Sequence, residues 1–266
     1  MTRSILIAIA CTLLPAAGAV RAFAQDAAAP PAVQAPQPTE PVDKPATPPA
    51  RAAKPPVERK MPFVDEGSYD PSWVVFRDRL LAALKRGDRR ALLAVVDRDI
   101  VNALDSPRGI VEFRKHWELD TKSDRLLRDL TAALSLGSTW YLPAKGPKLL
   151  CAPYVPIKWP LDDVDPYDSG AIVAKDVSVK GAPTHASQTL GSLSYDIIEV
   201  RDWDVADVES RLTQRWVKVR YRERDGFVPE ETIRSAIEPR ACFAKDGAAW
   251  RMVEYVIGIE YLGGGK

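Results

Sequence analysis

The segment between residues 25 and 60 limits most strongly what this chain can fold into. It holds ten of the chain's 23 prolines and nine alanines, and it contains no aromatic residue, isoleucine or leucine. Such a segment cannot bury enough apolar surface to offset the entropy that ordering costs. We expect a solvated, partly polyproline-II linker, so the fold must come from the residues after 60. A tether, an inert tail and a proline-rich ligand for another protein are the three roles open to it.

The residues before the linker have the pattern of a secretory signal. Arg3 precedes an apolar run from residue 5 to residue 14, and Ala22-Phe23-Ala24 matches a small-residue cleavage site. The run is too short to span a bilayer, which takes about 20 residues. We predict cleavage after Ala24, no membrane span in the processed chain, and a periplasmic or secreted location.

The charge balance argues against a dedicated nucleic-acid binder. The formal net charge is +1, and removal of residues 1–24 with Arg3 and Arg21 takes it to −1. A protein that neutralises many phosphates needs a basic excess. We therefore expect no nucleic-acid partner.

Residues 61–160 are predicted to form a small helical domain. Asp70-Pro71 looks like an N-cap followed by proline at the first helical position, and Gly87 fits the residue after a helix end. Three more helices are expected, beginning at Asp88, at Ser106-Pro107 and at Ser123-Asp124. The apolar residues with helical spacing are Trp73, Phe76, Leu80, Leu84, Leu92, Val95, Val96, Ile110, Phe113, Trp117, Leu127, Leu130 and Leu134.

Basic residues fill the surface between these apolar positions in the first two helices. They are Arg77, Arg79, Lys85, Arg86, Arg89 and Arg90. A solvated helix face is the ordinary interpretation, and a patch for an anionic polymer is the alternative.

Residues 161–238 change to a period of two, which is typical of strands. Trp216 to Tyr221 alternates cleanly, and Asp225-Gly226 is predicted to form a tight turn. Short strands separated by turn signals favour a small β-barrel. The overall fold class we expect is therefore α+β: a small helical domain, a barrel and a C-terminal hairpin.

This segment resembles the bacterial Src-homology-3-like (SH3b) domain. The matching stretches are residues 176–180, 187–200, 216–219 and 225–229, with Phe227 in the place of the family's usual tyrosine. The resemblance implies an SH3-like barrel that binds ligands without catalysing a reaction or using a cofactor. Partners of such domains include peptidoglycan peptides and envelope proteins. The aromatic residues placed near a binding groove are Tyr195, Trp203, Tyr221 and Phe227.

Residues 239–266 are predicted to form a hairpin and a tail, with the turn at Asp246-Gly247. The stretch 243–252 resembles the last hairpin of nuclear transport factor 2-like cone folds, and the helices of residues 76–96 resemble their opening helices. This second resemblance implies that the barrel is an insertion. A cone-fold enzyme or a cell-wall hydrolase is then the alternative to a binding protein.

Cleavage of the signal removes Cys11 and leaves two cysteines, Cys151 and Cys242. We expect these two to form a disulfide in an oxidising compartment. The competing hypothesis makes Cys151 a nucleophile with His116 or His185 as its base. The acidic run of residues 162–168 fails the EF-hand register, because a tyrosine takes the fifth position and no glycine takes the sixth. We predict no metal site and no catalytic residue.

Overall fold

The computed structural model describes residues 59–103, 106–160, 162–209 and 214–258. The predicted signal (1–24), residues 25–58 of the predicted linker and residues 259–266 of the predicted tail lie outside the described residues. The last two residues of the predicted linker are not part of a solvated linker. Arg59–Lys60 forms a short strand, β1, because its backbone pairs antiparallel with residues 196 and 197.

Five α-helices and thirteen strands make up the described part of the chain. The helices are α1 (Pro71–Lys85), α2 (Arg89–Val95), α3 (Ile110–His116), α4 (Arg125–Ser135) and α5 (Val155–Lys158). Strands β2 to β4 are Val96–Val101, Thr139–Tyr141 and Leu149–Ala152; β5 to β8 are Ser169–Ile172, Val177–Lys180, Thr189–Leu193 and Asp196–Ala206. Strands β9 to β13 are Arg215–Tyr221, Arg224–Pro229, Ile233–Arg234, Pro239–Asp246 and Ala249–Ile257. Short 3₁₀ helices lie at Glu66–Tyr69 and Glu230–Thr232.

The ends of the first two helices follow the predicted capping residues. The Asp70 carboxylate accepts hydrogen bonds from the backbone N–H groups of Ser72 (2.8 Å) and Trp73 (3.4 Å), and Pro71 begins α1. Gly87 follows the C-cap of α1 with a φ of +71°, a value that glycine adopts at little cost. Asp88 then caps α2 through the N–H of Ala91.

The third helix begins later than predicted. It begins at Ile110, after Gly109, rather than at Ser106-Pro107. Gly109 has a φ of +106° and donates its N–H to the carbonyl of Ile100. The chain therefore runs back along β2 before it can turn into α3.

A five-stranded sheet joins the predicted helical domain to the C-terminal hairpin. The strand order is β2-β13-β12-β4-β3, with β2 and β13 parallel and the other pairs antiparallel. Residues 61–160 therefore contain three strands as well as helices. The hairpin turns at Gly247-Ala248, where Gly247 has a φ of +57°, and it occupies the middle of the sheet.

The helices cover one face of this sheet and build the main core with it. The Trp73 ring lies 4.9 Å from the Phe243 ring and 5.1 Å from the Trp250 ring, measured between centroids. Leu130 of α4 and Phe113 of α3 are fully buried in the same cluster. Helices and hairpin thus share one hydrophobic core.

The second sheet comes from the residues between β4 and β12. Its strand order is β11-β5-β8-β9-β10-β6-β7, with β1 paired on β8. All its pairs are antiparallel, and the sheet does not close into a barrel within the described residues. Its core is made mainly of valines from β6, β8, β9 and β10. The coarse prediction of an α+β fold is confirmed.

The predicted turn at Asp225-Gly226 is wrong by three residues. Both lie inside β10, where Gly226 pairs with Val219, and the chain turns at Arg222-Glu223 instead. Gly226 is needed in the strand because an added Cβ would collide with the Val179 side chain. No helix among the described residues is long and apolar enough to cross a membrane.

Candidate functional site

Two of the four predicted groove aromatics belong to the packing of the second sheet. Tyr221 is 8% exposed and lies in that core, with its hydroxyl end beside Gly191. Trp203 is half-buried and packs on the same core near Gly170. Both side chains therefore already have a structural role.

The other two aromatics lie elsewhere on this sheet. Tyr195 is in the turn between β7 and β8 with a φ of +59°. Burial, with a smaller contribution from Tyr195, raises the pKa of Tyr154 to about 12. Phe227 stands on β10 opposite Lys180 and Lys218. No two of the four rings pair with one another in the described part of the chain. Their role as a common ligand site stays a prediction.

The two remaining cysteines lie opposite each other on β4 and β12. Cys151 and Cys242 are paired in register, their Cα atoms are 4.0 Å apart, and the structure joins them as a disulfide. Both are fully buried. This pairing leaves Cys151 without the free thiolate that a cysteine nucleophile requires.

Neither histidine has the surroundings of a catalytic base. His116 is exposed at the end of α3, with its ring 4.8 Å from Trp117, and His185 is exposed with its ring 4.9 Å from Trp216. No cluster of three or more His, Cys, Asp or Glu residues that could hold a metal occurs among the described residues.

The site that the structure does assemble is a cleft of about 710 Å³ between α4 and the second sheet. The buried leucines of α4 point into the main core, and an adjacent stripe of the helix faces the cleft. That wall consists of Arg125, Asp129, Ala132, Ala133 and Leu136, with Pro153 beside it. The facing wall consists of Gln214, Arg215, Glu230, Glu231, Arg234, Glu238 and Pro239.

Arg234 is the best-anchored cation of the cleft. Its guanidinium donates to the carbonyl oxygens of Glu230 (2.9 Å) and Ile233 (2.8 Å), and its Nε lies 3.7 Å from the Glu238 carboxylate. The side chain is 15% exposed. Backbone carbonyls therefore hold this charge in place before any ligand arrives.

The other charged groups of the cleft are held more loosely. Arg125 pairs with Asp129 at 3.5 Å, and its side chain is 78% exposed. Gln214 donates to Glu231 at 3.0 Å, and Arg215 pairs with Asp204. Exposed pairs of this kind contribute about 0–1 kcal/mol, so a charged ligand can exchange with them at little cost.

Two carboxyl groups on opposite walls have raised pKa values. Burial raises the pKa of Asp129, against the opposing charges of Arg125, Arg128 and Arg234. Burial likewise raises the pKa of Glu238; Arg234 opposes this, and the charges of Asp129 and Glu230 add to it. Titratable groups with displaced pKa values in a cleft are typical of functional sites.

The sequence holds only a weak signal for this site. Arg125 and Asp129 share the polar side of α4, and four charged residues crowd between positions 230 and 238. Nothing in the sequence shows that these segments meet, because they are about 100 residues apart.

Comparison with protein-family models, with curated proteins and with solved structures finds no match to this chain.

Proposed function

We propose that this chain is an exported, non-enzymatic binding protein that takes a cell-wall peptide, or an exposed segment of an envelope protein, into the cleft beside α4. In this proposal residues 169–234 are an SH3-like module. The antiparallel order of β5 to β11 and the 3₁₀ turn at Glu230–Thr232 between β10 and β11 support that assignment. The disulfide supports an oxidising compartment.

The observation that carries the proposal is the mixed charge of the cleft. Guanidinium groups and carboxylates face one another across about 710 Å³. Peptides of the cell wall carry carboxylates and a free amino group within a few bonds of each other. Arg125 and Arg234 would bind the carboxylates of such a peptide, and Glu230 or Glu231 its ammonium group.

Co-sedimentation with purified peptidoglycan tests this assignment. Arg125→Gln removes an exposed cleft cation and should lower the retained fraction, with an apparent Kd about 5–10-fold weaker because one charge-assisted contact is lost. Arg128→Gln is the matched control, since it removes the same charge one turn away on an exposed side of α4. Equal losses in both variants, or no retention of the wild type, would refute the proposal.

A hydrolase is the second candidate, and one observation favours it. Asp129 and Glu238 are carboxyl groups with raised pKa values on opposite walls of one cleft, as general acid–base chemistry on a glycan requires. The α1–α2 pair also shares one hydrophobic core with the C-terminal hairpin, which suits the cone-fold resemblance.

Release of dye from labelled peptidoglycan separates the two candidates. A binding protein retains the polymer and releases nothing. Release that disappears in Glu238→Gln, while Arg128→Gln keeps it, would establish the hydrolase. Release in both variants would assign the activity to a contaminant and leave the binding assay to decide.

A further inference from the structure

The corner between α1 and α2 carries four exposed cations close together. They are Arg79, Lys85, Arg86 and Arg90. Arg79 of α1 and Arg86, the C-cap residue of that helix, are seven residues apart, which places them on one side of it. Lys85 is the last residue of α1, and the turn at Gly87 brings the start of α2, with Arg90, beside it. We call these four residues the basic corner.

Nothing in the described part of the chain neutralises the basic corner. Each of the four side chains is without an ion pair or hydrogen bond there. The two acidic residues of the same stretch are already engaged: Asp78 pairs with Arg77, and Asp88 caps α2. The corner is thus a local excess of positive charge on a protein whose formal net charge is only +1.

Helix dipoles account for only half of these positions. Lys85 and Arg86 stand at the C-terminal end of α1, where a cation is favourable. Arg90 stands in the first turn of α2, where the helix dipole disfavours a cation. Its neighbour Arg89 is compensated there by Asp124 at 2.8 Å, whereas Arg90 is not. Arg90 is therefore a position that helix electrostatics within the molecule does not explain.

The shape of the corner selects the kind of partner. None of the three described cavities is lined by these residues, and all four lie on the exposed outer side of α1 and its turn into α2. The same side of α1 exposes Val75, which is 50% accessible and precedes the cations, and Ala82, which lies between Arg79 and Lys85. Basic residues mixed with small apolar ones on a convex helix face suit the interface of an anionic bilayer.

We propose that the basic corner docks this protein on the surface of a membrane that contains anionic lipids. The guanidinium and ammonium groups contact lipid phosphates, and Val75 and Ala82 rest against the headgroup boundary. The cleft beside α4 is formed by other residues, so this inference does not depend on the proposed function.

Sedimentation with lipid vesicles tests the proposal on the full chain. Wild type should bind vesicles of phosphatidylglycerol mixed with phosphatidylcholine and should not bind phosphatidylcholine alone. Replacing all four cations by glutamine should weaken binding at least about tenfold, since each Lys or Arg near an anionic surface adds to the electrostatic attraction. Higher salt should weaken wild-type binding in the same direction.

A matched variant with Lys115, Lys122, Lys145 and Arg224 changed to glutamine removes the same number of exposed, unpaired charges elsewhere. Both fourfold variants carry the same N-terminal segment, so any contribution of residues 1–24 to vesicle binding is the same in the two. Equal weakening in both sets, or binding to phosphatidylcholine alone, would overturn the proposal. Equally tight, corner-dependent binding of soluble polyphosphate would overturn it in favour of an anionic polymer. If the fourfold variant fails to fold, Arg79→Gln with Arg86→Gln decides the question by the same criteria.

Discussion

Two acidic side chains fasten the entry of α1 to the edge of the five-stranded sheet. Asp65 accepts hydrogen bonds from the N–H (3.1 Å) and the hydroxyl (2.8 Å) of Ser138. Glu66 accepts from the Thr139 hydroxyl at 2.5 Å and from the Trp140 N–H at 2.7 Å. Both carboxylates therefore accept hydrogen bonds from donor groups at the start of β3, an edge strand of the sheet. Without them these donors would be free to pair with another chain.

Replacement of Glu66 should destabilise the fold in a pH-dependent way. Glu66→Ala leaves the buried Thr139 hydroxyl without this acceptor and should cost about 1–2 kcal/mol at neutral pH. The hydrogen bond from Thr139, then that from Trp140, lowers the pKa of Glu66. A carboxylate with a lowered pKa stabilises the fold at pH values above the ordinary pKa of glutamate. This stabilisation is lost as the pH falls through the lowered pKa.

Urea unfolding at several pH values checks this prediction. The difference in the free energy of unfolding between wild type and Glu66→Ala should become smaller at pH values below the ordinary pKa of glutamate. Glu118→Gln is the control, because that exposed carboxylate makes no hydrogen bond in the described residues. A pH-independent gap would mean that the carboxylate charge is not what stabilises the edge of β3.

At the scale of elements, local chemistry predicts some pieces of this fold well. The N-cap at Asp70, the turn at Gly87 and the hairpin turn, which lies one residue after the predicted Asp246-Gly247, each depend on one residue and its neighbours in the chain. Such signals are complete within a few positions. The corresponding elements lie where the sequence predicts them.

The missed strands lack a local signal for a physical reason. β4 is buried at all four positions, so it shows no alternation of apolar and polar residues. β2 follows α2 without an intervening turn residue, and its partner β13 is about 150 residues further on. The cleft has no local signal either, because its two walls come from segments about 100 residues apart in the chain.

The disulfide stabilises a pair of neighbouring strands that are 91 residues apart in sequence. Changing both Cys151 and Cys242 to alanine should lower the free energy of unfolding by about 2–5 kcal/mol, because the unfolded chain regains its freedom. Alanine avoids burying a new polar group at two fully buried positions. Denaturant unfolding, compared with the reduced wild type, measures the loss. Alkylation of both thiols in the native, unreduced protein would contradict the pairing.

At the scale of the whole molecule, one core is closed by residues from both ends of the described chain. The residues of the second sheet run between β4 and β12. The main core is therefore incomplete until the hairpin that follows them, β12 and β13, is in place. Trp250 of that hairpin packs on Trp73 of α1, and its indole N–H donates to the Ser72 hydroxyl at 3.1 Å. Contacts between segments so distant along the chain form late in folding.

Removal of the hairpin should therefore unfold the helices but spare the second sheet. A chain ending at residue 238 loses Phe243 and Trp250, and Trp250→Ala alone should cost about 3–5 kcal/mol, as expected for truncating a buried tryptophan. Limited proteolysis of the shortened chain should cut within residues 71–135 and leave a fragment containing residues 169–234, whose valine core is its own. Trp203→Ala is the control, since it should weaken the second sheet and leave the helices protected. Joint loss of protection in the shortened chain would show that the two sheets fold as one cooperative unit, because the second sheet would then depend on the core that the hairpin completes.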